Sequence, residues 1–226
     1  MLRWLPLLVA VACKPPVPIF NYHSVGVRDD DFAIPEQQLA AELDLLQTRG
    51  LRTISLHDLA ERRFSPGDVV LTFDDGYADA LTVILPQLRA RGMRATFFVV
   101  TAFLGRPGYL DWEGVRALQA AGMEIGSHTV DHQRLPELSA GRVRWELAES
   151  KRLLDARLPR QVEAVAYPFN AVRGWMLETA AEAGYRVGVA GVVNGGGDPL
   201  DLARVTIRPD TTLEQFEKAL PEKRSR

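Results

Sequence analysis

Two adjacent carboxylates at the end of an apolar run are well placed to bind a cation and to move protons. Asp74 and Asp75 stand in the segment VVLTFDDGY, which spans residues 69–77. Its apolar and β-branched residues predict a buried strand, and carboxylates at the end of a buried strand are costly unless a cation compensates their charge. Because successive side chains of a strand point to opposite sides, one carboxylate can bind a metal ion while the other handles protons. An ordinary turn, in which Asp and Gly are common, is the alternative.

Two histidines with the spacing of metal ligands follow a second predicted strand. The segment SHTVDH places His128 and His132 four residues apart, and the chain has 4 histidines in all. On one helical turn this spacing directs both imidazole rings to the same side, although a polar loop that contains histidines by chance is the alternative. In α/β barrels the carboxyl ends of the strands meet on one face. Two histidines, a carboxylate such as Asp75 and a water molecule match the ligands of an open, catalytic metal site.

The predicted elements that position these residues alternate between strands and helices. Continuous apolar strands followed by helices recur about seven times without an internal linker, which favours an α/β fold with a parallel sheet covered on both faces. The length of 226 residues fits a single α/β barrel domain. We therefore predict a barrel, and an irregular one.

Composition and charge narrow the classes of partner. The net charge of -2 and the pI near 6.1 give no reason to expect nucleic acid or an anionic membrane surface as a partner. The single cysteine, Cys13, excludes an internal disulfide and a cysteine-rich metal site. A metal ion would therefore need histidine and carboxylate ligands.

Residues 1–18 are predicted to be a targeting segment and linker that precede one domain at residues 19–226. An early arginine is followed by an apolar run that is too short to span a bilayer, and the run ends at Cys13 before a proline-rich exit. The pattern resembles a bacterial lipoprotein signal, in which Cys13 would be lipidated and would attach the protein to a membrane. The predicted location is the bacterial cell envelope, with the protein secreted or lipid-anchored. A ragged apolar N-terminus of a cytosolic protein is the alternative.

The two motifs together resemble those of the polysaccharide deacetylases, the family 4 carbohydrate esterases with a NodB-like domain. The match consists of TFDDG at residues 72–76 and SHTVDH at residues 127–132, and weaker similarity extends from about Pro18 to Ile207. It includes YHSV from Tyr22, RATFFV from Arg94, GMEIG from Gly122 and AYPF from Ala166. The YHSV and YPF segments look most like the branch that acts on poly-β-1,6-N-acetylglucosamine.

The resemblance implies a distorted (β/α)₇ barrel and assigns roles to the motif residues. Asp75, His128 and His132 would bind a divalent metal, for which Zn²⁺ suits the ligands, as Co²⁺ or Ni²⁺ would. Asp74 would be the general base toward a water whose pKa the metal lowers. The oxyanion would lie against the metal and the backbone N–H of Phe169. The implied reaction removes N-acetyl groups from N-acetylglucosamine-containing polysaccharide and releases acetate.

Side chains near the other predicted strand ends are candidates for substrate binding. Tyr77, Trp112 and Phe169 could stack on sugar faces, with core or rim packing as the alternative. His23 ends the first predicted strand and could face the same site, or else bind a backbone partner. His57 lies on a predicted helix and is assigned to packing or to the surface.

The sequence departs from the family pattern at three places, two of which concern the proton transfers. The arginine that many members carry two residues before the motif proline, where it orients the catalytic aspartate, is Ala166 here. Asn170 replaces a frequent glycine, and asparagine tolerates a left-handed backbone. Many members use a late histidine as the general acid, whereas this chain has none after His132 and reads RVTIR at residues 204–208. Another group must then hold Asp74, and Asp74, water or His23 must protonate the amine.

Two classes of function follow from these observations. The first is the N-deacetylase, within which peptidoglycan or chitin-oligomer deacetylase and O-acetyl esterase activity stay open because fold and metal site do not fix the glycan. The second is a carbohydrate-binding relative with little or no turnover, which the missing arginine and late histidine suggest.

Overall fold

The computed structural model describes residues 17–26, 31–191 and 198–221. The strands are β1 (Ile19–Tyr22), β2 (Arg52–Ile54), β3 (Asp68–Phe73), β4 (Thr96–Val99), β5 (Glu124–Ser127), β6 (Ala164–Ala166), β7 (Val187–Gly191) and β8 (Leu202–Thr206). The helices are α1 (Glu36–Thr48), α2 (Leu56–Ala60), α3 (Leu85–Ala90), α4 (Trp112–Ala120), α5 (Ala140–Asp155), α6 (Gly174–Glu182) and α7 (Leu213–Ala219).

The strands are parallel and close into a barrel. Their order is β1-β8-β7-β6-β5-β4-β3-β2, and an additional pairing of β1 with β3 closes the ring. Seven strands form the ring, and β2 lies outside it. Strand β3 pairs with β2 through residues 68–70 and with β4 through residues 72–73. The predicted distorted (β/α)₇ barrel is confirmed.

The side-chain alternation of the strands separates an inner from an outer apolar layer. Ile19, Val70 and Phe98 belong to the cluster that fills the barrel. Their chain neighbours Phe20 and Leu71 belong to the larger cluster between the strands and the helices. Burying each such side chain contributes roughly 1.5–3 kcal/mol, so both layers stabilise the barrel.

The inner layer changes from apolar to polar toward the carboxyl ends of the strands. Two residues after Ile19 and Val70 the inward positions are Asn21 and Thr72, and both are fully buried. Arg204 of β8 is also buried. A buried polar layer therefore underlies the end of the barrel at which the predicted site residues lie.

The helical segment that contains Pro86 has an irregular first part. Residues Ala80–Ile84 form a π-helical turn, and α3 begins at Leu85 with Pro86 in its first turn. A proline is tolerated there because the first backbone N–H groups of a helix have no partner within the helix.

The predicted targeting segment, including Cys13, lies outside the described residues. None of the helices within the described residues has the length and apolar composition needed to cross a lipid bilayer.

Candidate active site

Asp75, His128 and His132 come together above the polar layer of the barrel. Asp75 follows β3 and the two histidines follow β5, so parallel pairing through β4 brings their loops to one face. Oδ1 of Asp75 lies 3.5 Å from Nε2 of His128 and 3.3 Å from Nε2 of His132. One ligand atom from each residue lies within 4.8 Å of the other two.

The protonation of this cluster suits a divalent cation. Nδ1 of His128 donates a hydrogen bond to the carbonyl oxygen of Ala166 at 2.7 Å, which leaves the lone pair of Nε2 facing the cluster. Burial, and then the neighbouring His128, lower the pKa of His132 to about 4, so its ring is neutral at pH 7. Oδ1 of Asp75 is buried and accepts no hydrogen bond among the described residues. A cation would compensate this carboxylate, and the residues present therefore fit a metal ion.

A loop, rather than the helical turn that the spacing suggested, presents the two histidines. Thr129 and His132 have left-handed backbones with φ of 66° and 56°. Oε2 of the buried Glu146 accepts two hydrogen bonds from this loop. The donors are the backbone amides of Val130, at 2.9 Å, and Asp131, at 3.0 Å. Glu146 of α5 thus holds the loop in a conformation that L-residues rarely adopt.

Arg204 holds Asp74 from inside the barrel. Its guanidinium donates two hydrogen bonds of 2.8 Å, one to each carboxylate oxygen of Asp74. It also donates to Oδ1 of Asn170 at 2.9 Å and to Oγ1 of Thr72 at 3.2 Å. Arg204 and Asp74 are 2% and 3% exposed, which makes this a buried bidentate pair. The group expected to hold Asp74 in place of the arginine missing at Ala166 is therefore Arg204.

The environment of Asp74 keeps its carboxylate charged. Burial raises the pKa of Asp74, but the charge and the hydrogen bonds of Arg204 outweigh burial and hold the pKa well below its usual range. Oδ2 of Asp74 lies 3.9 Å from Nε2 of His128, so the carboxylate adjoins the cluster of Asp75, His128 and His132. Asp74 is paired with Arg204 inside the barrel and is not one of the three clustered residues, Asp75, His128 and His132.

His23 faces the same site from the end of β1. Burial lowers the pKa of its imidazole, while the charges of Asp74 and Asp75 oppose that effect. Its Nδ1 is buried without a hydrogen-bond partner among the described residues. The ring contacts that of Phe32 at a centroid distance of 4.6 Å.

Two of the candidate aromatic residues lie at the mouth of the site. The ring of Phe169 is 56% exposed and 4.8 Å from that of His132. Tyr77 stacks on Tyr109 at 5.1 Å; Tyr109 contacts Phe103 at 5.0 Å, which in turn lies 6.3 Å from His132. Tyr77, Tyr109 and Phe103 thus form a row of rings that leads to His132, and Phe169 contacts His132 separately.

Two other residues lie elsewhere. Trp112 is partly buried against the outer apolar layer and is covered by the guanidinium of Arg157 at 4.8 Å. Nδ1 of His57 lies 2.7 Å from Glu163, which directly precedes β6 and is therefore at the amino end of the barrel. His57 thus belongs to the face opposite the cluster, in agreement with its assignment to packing or surface.

Backbone strain is concentrated at the site. Of the six non-glycine residues with positive φ in the described ranges, five are Asp75, Thr129, His132, Phe169 and Asn170. The prediction that Asn170 supports a left-handed turn is confirmed by its φ of 52°. Gly76 has φ of 76°, and a Cβ there would meet Val99 at 3.1 Å, so the turn after the two carboxylates requires glycine.

Arg204 is the site residue that the sequence reasoning missed. Alternation along β8 places Arg204 on the same face as Leu202 and Thr206, which predicts an inward arginine in a barrel of apolar strands. Such a charge must be paired, and an inward carboxylate at the end of a neighbouring strand is the natural partner. The sequence therefore contains a sign of a buried, paired arginine. Asp74 is identified as its partner only by the fold, in which β1 pairs with β8 on one side and with β3 on the other.

The closed parallel barrel places a His₂-carboxylate cluster, which could hold a metal ion, beside a second carboxylate at the carboxyl ends of its strands. Residues 61–188 match the family model described as polysaccharide deacetylase. The chain belongs to the polysaccharide deacetylase family, the NodB-like carbohydrate esterases of family 4, and it is a deacetylase by that membership.

Individual relatives agree with this assignment. The chain is 30% identical over 208 residues to YxkH of Bacillus subtilis, whose name places it among the polysaccharide deacetylases, and the match covers 88% of this chain and 74% of YxkH. It is 33% identical over 142 residues to a chitooligosaccharide deacetylase of Sinorhizobium fredii, with 60% of each chain covered.

Solved structures share the fold, and one of them is a deacetylase by name. The Streptococcus pyogenes deacetylase PplD, in complex with acetate, superposes with a TM-score of 0.82 at 25% identity, over 91% of this chain and 98% of that one. IcaB from Ammonifex degensii superposes with a TM-score of 0.74 at 27% identity, over 90% and 96% of the two chains.

Proposed function

We propose that this protein is a metal-dependent N-deacetylase that removes acetyl groups from N-acetylglucosamine-containing polysaccharide of the bacterial cell envelope. The observation that carries the proposal is the juxtaposition of the Asp75, His128 and His132 cluster with a separate carboxylate, Asp74, fixed by Arg204. The similarity to a chitooligosaccharide deacetylase supports an N-acetylated glycan as the substrate.

The proposed mechanism divides the work between the cluster and Asp74. When bound by Asp75, His128 and His132, a divalent cation supplies Lewis acidity toward water and the acetyl carbonyl. Asp74 is charged at neutral pH and is positioned to take a proton from the attacking water. Arg204 restricts the carboxylate to one orientation, which keeps it beside the cluster.

Asp74 is also the favoured source of the proton for the departing amine. A carboxyl group whose pKa is held low by Arg204 gives up its proton readily once it has accepted one. His23 has a lowered pKa, so its ring is neutral at pH 7 and is a poor proton donor there. We assign His23 to shaping the substrate side of the site, together with Phe169 and Tyr77.

Acetate release from N-acetylglucosamine oligomers by the Zn²⁺-loaded protein tests the proposal. We expect Asp74→Asn to lower kcat by about 10³-fold or more while metal content stays at the wild-type level, because Asp74 handles the proton and is not a ligand. His23→Gln should keep at least about a tenth of kcat. Wild-type turnover in Asp74→Asn would remove the role given to that residue.

A carbohydrate-binding protein with little turnover is the second candidate. The chain lacks both the motif arginine at Ala166 and a late histidine, although Arg204 provides the ion pair that the first would supply. A panel of β-1,6- and β-1,4-linked N-acetylglucosamine oligomers, peptidoglycan fragments and O-acetylated xylan distinguishes the candidates and identifies the glycan. Binding without acetate release from any of them would favour this second candidate.

The proposed location depends on the segment that ends at Cys13. Expression in a bacterial host with a Cys13→Ser control, followed by membrane fractionation and mass spectrometry, tests lipidation. Identical soluble fractions for both proteins, with an unmodified Cys13, would contradict lipid anchoring.

A further inference from the structure

Two arginines at the mouth of the barrel lie over aromatic rings and have no part in the proposed proton transfers. Cζ of Arg106 is 4.8 Å from the ring centre of Phe103. Cζ of Arg208 is 4.6 Å from the ring centre of Phe32. Neither guanidinium forms an ion pair with a carboxylate in the described part of the chain. Both charges are therefore available to a ligand.

The aromatic partners connect both arginines to the reaction centre. The ring of Phe103 lies 6.3 Å from that of His132, and the ring of Phe32 lies 4.6 Å from that of His23. Each arginine is thus separated from a site histidine by one aromatic ring. A polymer with one sugar at the cluster would extend across these rings to the guanidinium groups.

The two charges stand on opposite sides of the mouth. Arg106 lies in the loop after β4, whereas Arg208 follows β8. Around the ring, β3 and β1 lie between β4 and β8 in one direction. In the other direction, β5, β6 and β7 lie between them, so β4 and β8 are on opposite sides. A chain that crosses the mouth therefore meets a positive charge on either side of the reacting sugar.

A third arginine has a similar position but is partly neutralised. Cζ of Arg134, in the loop after β5, is 5.8 Å from the ring centre of Phe169. Its Nε lies 3.3 Å from Glu137, and both side chains of this pair are at least half exposed. An exposed pair of this kind is weak, so Arg134 still adds to the positive potential at the mouth. Because Glu137 partly neutralises it, Arg134 is not assigned to anion binding.

Contact with a ring leaves the guanidinium groups able to bind anions. An aromatic ring forms no hydrogen bonds in the plane of a guanidinium, so the N–H donors can still match phosphate or carboxylate oxygens. A neutral glycan offers hydroxyl groups that a shorter, uncharged side chain could bind equally well. Unpaired arginines on both sides of the mouth are better explained by a substrate that carries negative charge.

We propose that the substrate is an anionic glycan, in which phosphate or carboxylate groups flank the N-acetylated sugar and bind Arg106 and Arg208. This inference rests on the proposed deacetylase function and specifies its substrate class. Arg106 and Arg208 are substrate-binding residues in this proposal and do not touch the acetyl group.

The test compares three N-acetylglucosamine tetramers of equal length that are neutral, O-phosphorylated or carboxylated on the sugars beside the reacting one. We expect kcat/KM to be about tenfold higher for one or both anionic tetramers at low ionic strength. The advantage should shrink as salt is raised from about 20 mM to about 500 mM, because screening weakens exposed charge pairs. The phosphorylated and carboxylated arms show which anion the arginines recognise.

Matched variants connect the preference to the two arginines. The double variant R106Q/R208Q should lower the anionic-to-neutral ratio of kcat/KM toward one, and R106K/R208K should keep part of the preference because it keeps the charge. Arg116→Gln, an exposed arginine of α4 away from the mouth, is the control and should leave the ratio unchanged. Equal kcat/KM for neutral and anionic tetramers, or an unchanged ratio in R106Q/R208Q, would overturn the inference.

A binding measurement separates this inference from the proposed function. If no tetramer releases acetate, the proposed function fails, and calorimetric titration of the same tetramers into the Asp74→Asn protein still measures the preference. Tighter binding of an anionic tetramer that R106Q/R208Q abolishes supports the anionic substrate class. Equal affinity for all three tetramers overturns it.

Discussion

Asp74 and Asp75 are neighbours in the chain but have different surroundings. Asp75 lies against two imidazole nitrogens and has a buried oxygen without a hydrogen-bond partner among the described residues, whereas both oxygens of Asp74 accept from Arg204. The left-handed backbone of Asp75, with φ of 72°, turns the second carboxylate away from the direction of the strand. One residue is thus suited to bind a cation and the other to move a proton.

Replacing Arg204 with lysine should impair catalysis and change its pH dependence. Lysine keeps one charge but cannot bind both oxygens of Asp74, so we expect kcat/KM to fall about 10²-fold. The pKa of Asp74 is held down by Arg204 and should rise in the variant, which moves the acidic limb of the pH–rate profile to higher pH. A purely structural role would leave that limb in place. Arg186→Lys, at an exposed ion pair with Glu61, serves as the control.

Helix α5 acts on the metal cluster through one buried carboxylate. A single oxygen of Glu146 accepts both amide hydrogen bonds from the loop between the two histidines. The same residue pairs with Arg142 through its other oxygen at 2.8 Å. The strained loop therefore depends on Glu146, which lies 16 residues after Val130 and 15 residues after Asp131.

Substitutions at Glu146 should separate the amide contacts from the charge. In Glu146→Ala two buried amides lose their acceptor, and we expect weaker Zn²⁺ binding and a loss of about 2–4 kcal/mol in the free energy of unfolding. Glu146→Gln retains an oxygen for the amides and should lose much less of both. Metal titration and chemical denaturation measure the two effects. Equal losses in both variants would mean that the charge, rather than the amide contacts, matters.

A second buried glutamate couples helix α1 to strand β1 and makes stability depend on pH. Glu42 accepts from the hydroxyl of Tyr22 at 2.7 Å, and burial raises its pKa to about 7. The folded protein therefore binds a proton that the unfolded chain has lost, and the free energy of unfolding decreases as pH rises from about 4.5 to about 7.

Glu42→Gln should remove that pH dependence. Glutamine keeps an acceptor for Tyr22 and carries no charge, so the variant should be more stable than the wild type by about 1–3 kcal/mol at pH 8 and of similar stability at pH 4. Denaturant melts between these pH values measure the difference. Glu113→Gln, an exposed change on α4, should give the wild-type slope.

At the scale of the whole molecule, the fold and the cluster could be predicted because their signals are local. Continuous apolar strands, helix-ending glycines and two short motifs indicate a barrel with its polar groups at the strand ends. The partner of Asp74 could not be predicted in the same way, since Arg204 is 130 positions away and meets Asp74 only after the ring closes. The loop conformation of residues 128–132 also depends on Glu146, a contact outside the motif.

Metal binding should stabilise the whole barrel. A ligand that binds only the folded state at about 100 times its Kd adds about 2.7 kcal/mol, which corresponds to a rise in Tm of about 5–10 °C for a domain of this size. Thermal melts with and without Zn²⁺, after chelator treatment, measure the rise. Asp75→Asn should abolish the rise, whereas Asp44→Asn on α1 should keep it. A Zn²⁺-independent Tm in the wild type would contradict the ligand assignment.

The position of Arg204 on β8 has a consequence for the order in which the active site is completed during synthesis. Asp74, Asp75, His128 and His132 leave the ribosome well before Arg204 does, because β8 follows the other strands of the described residues in the sequence. Until β8 pairs with β1 and β7, the carboxylate of Asp74 has no guanidinium to neutralise it inside the barrel. A nascent chain that ends before residue 202 can therefore hold its metal ligands in sequence and still lack a base in working position. Ring closure and the onset of catalytic competence are, on this account, the same late event.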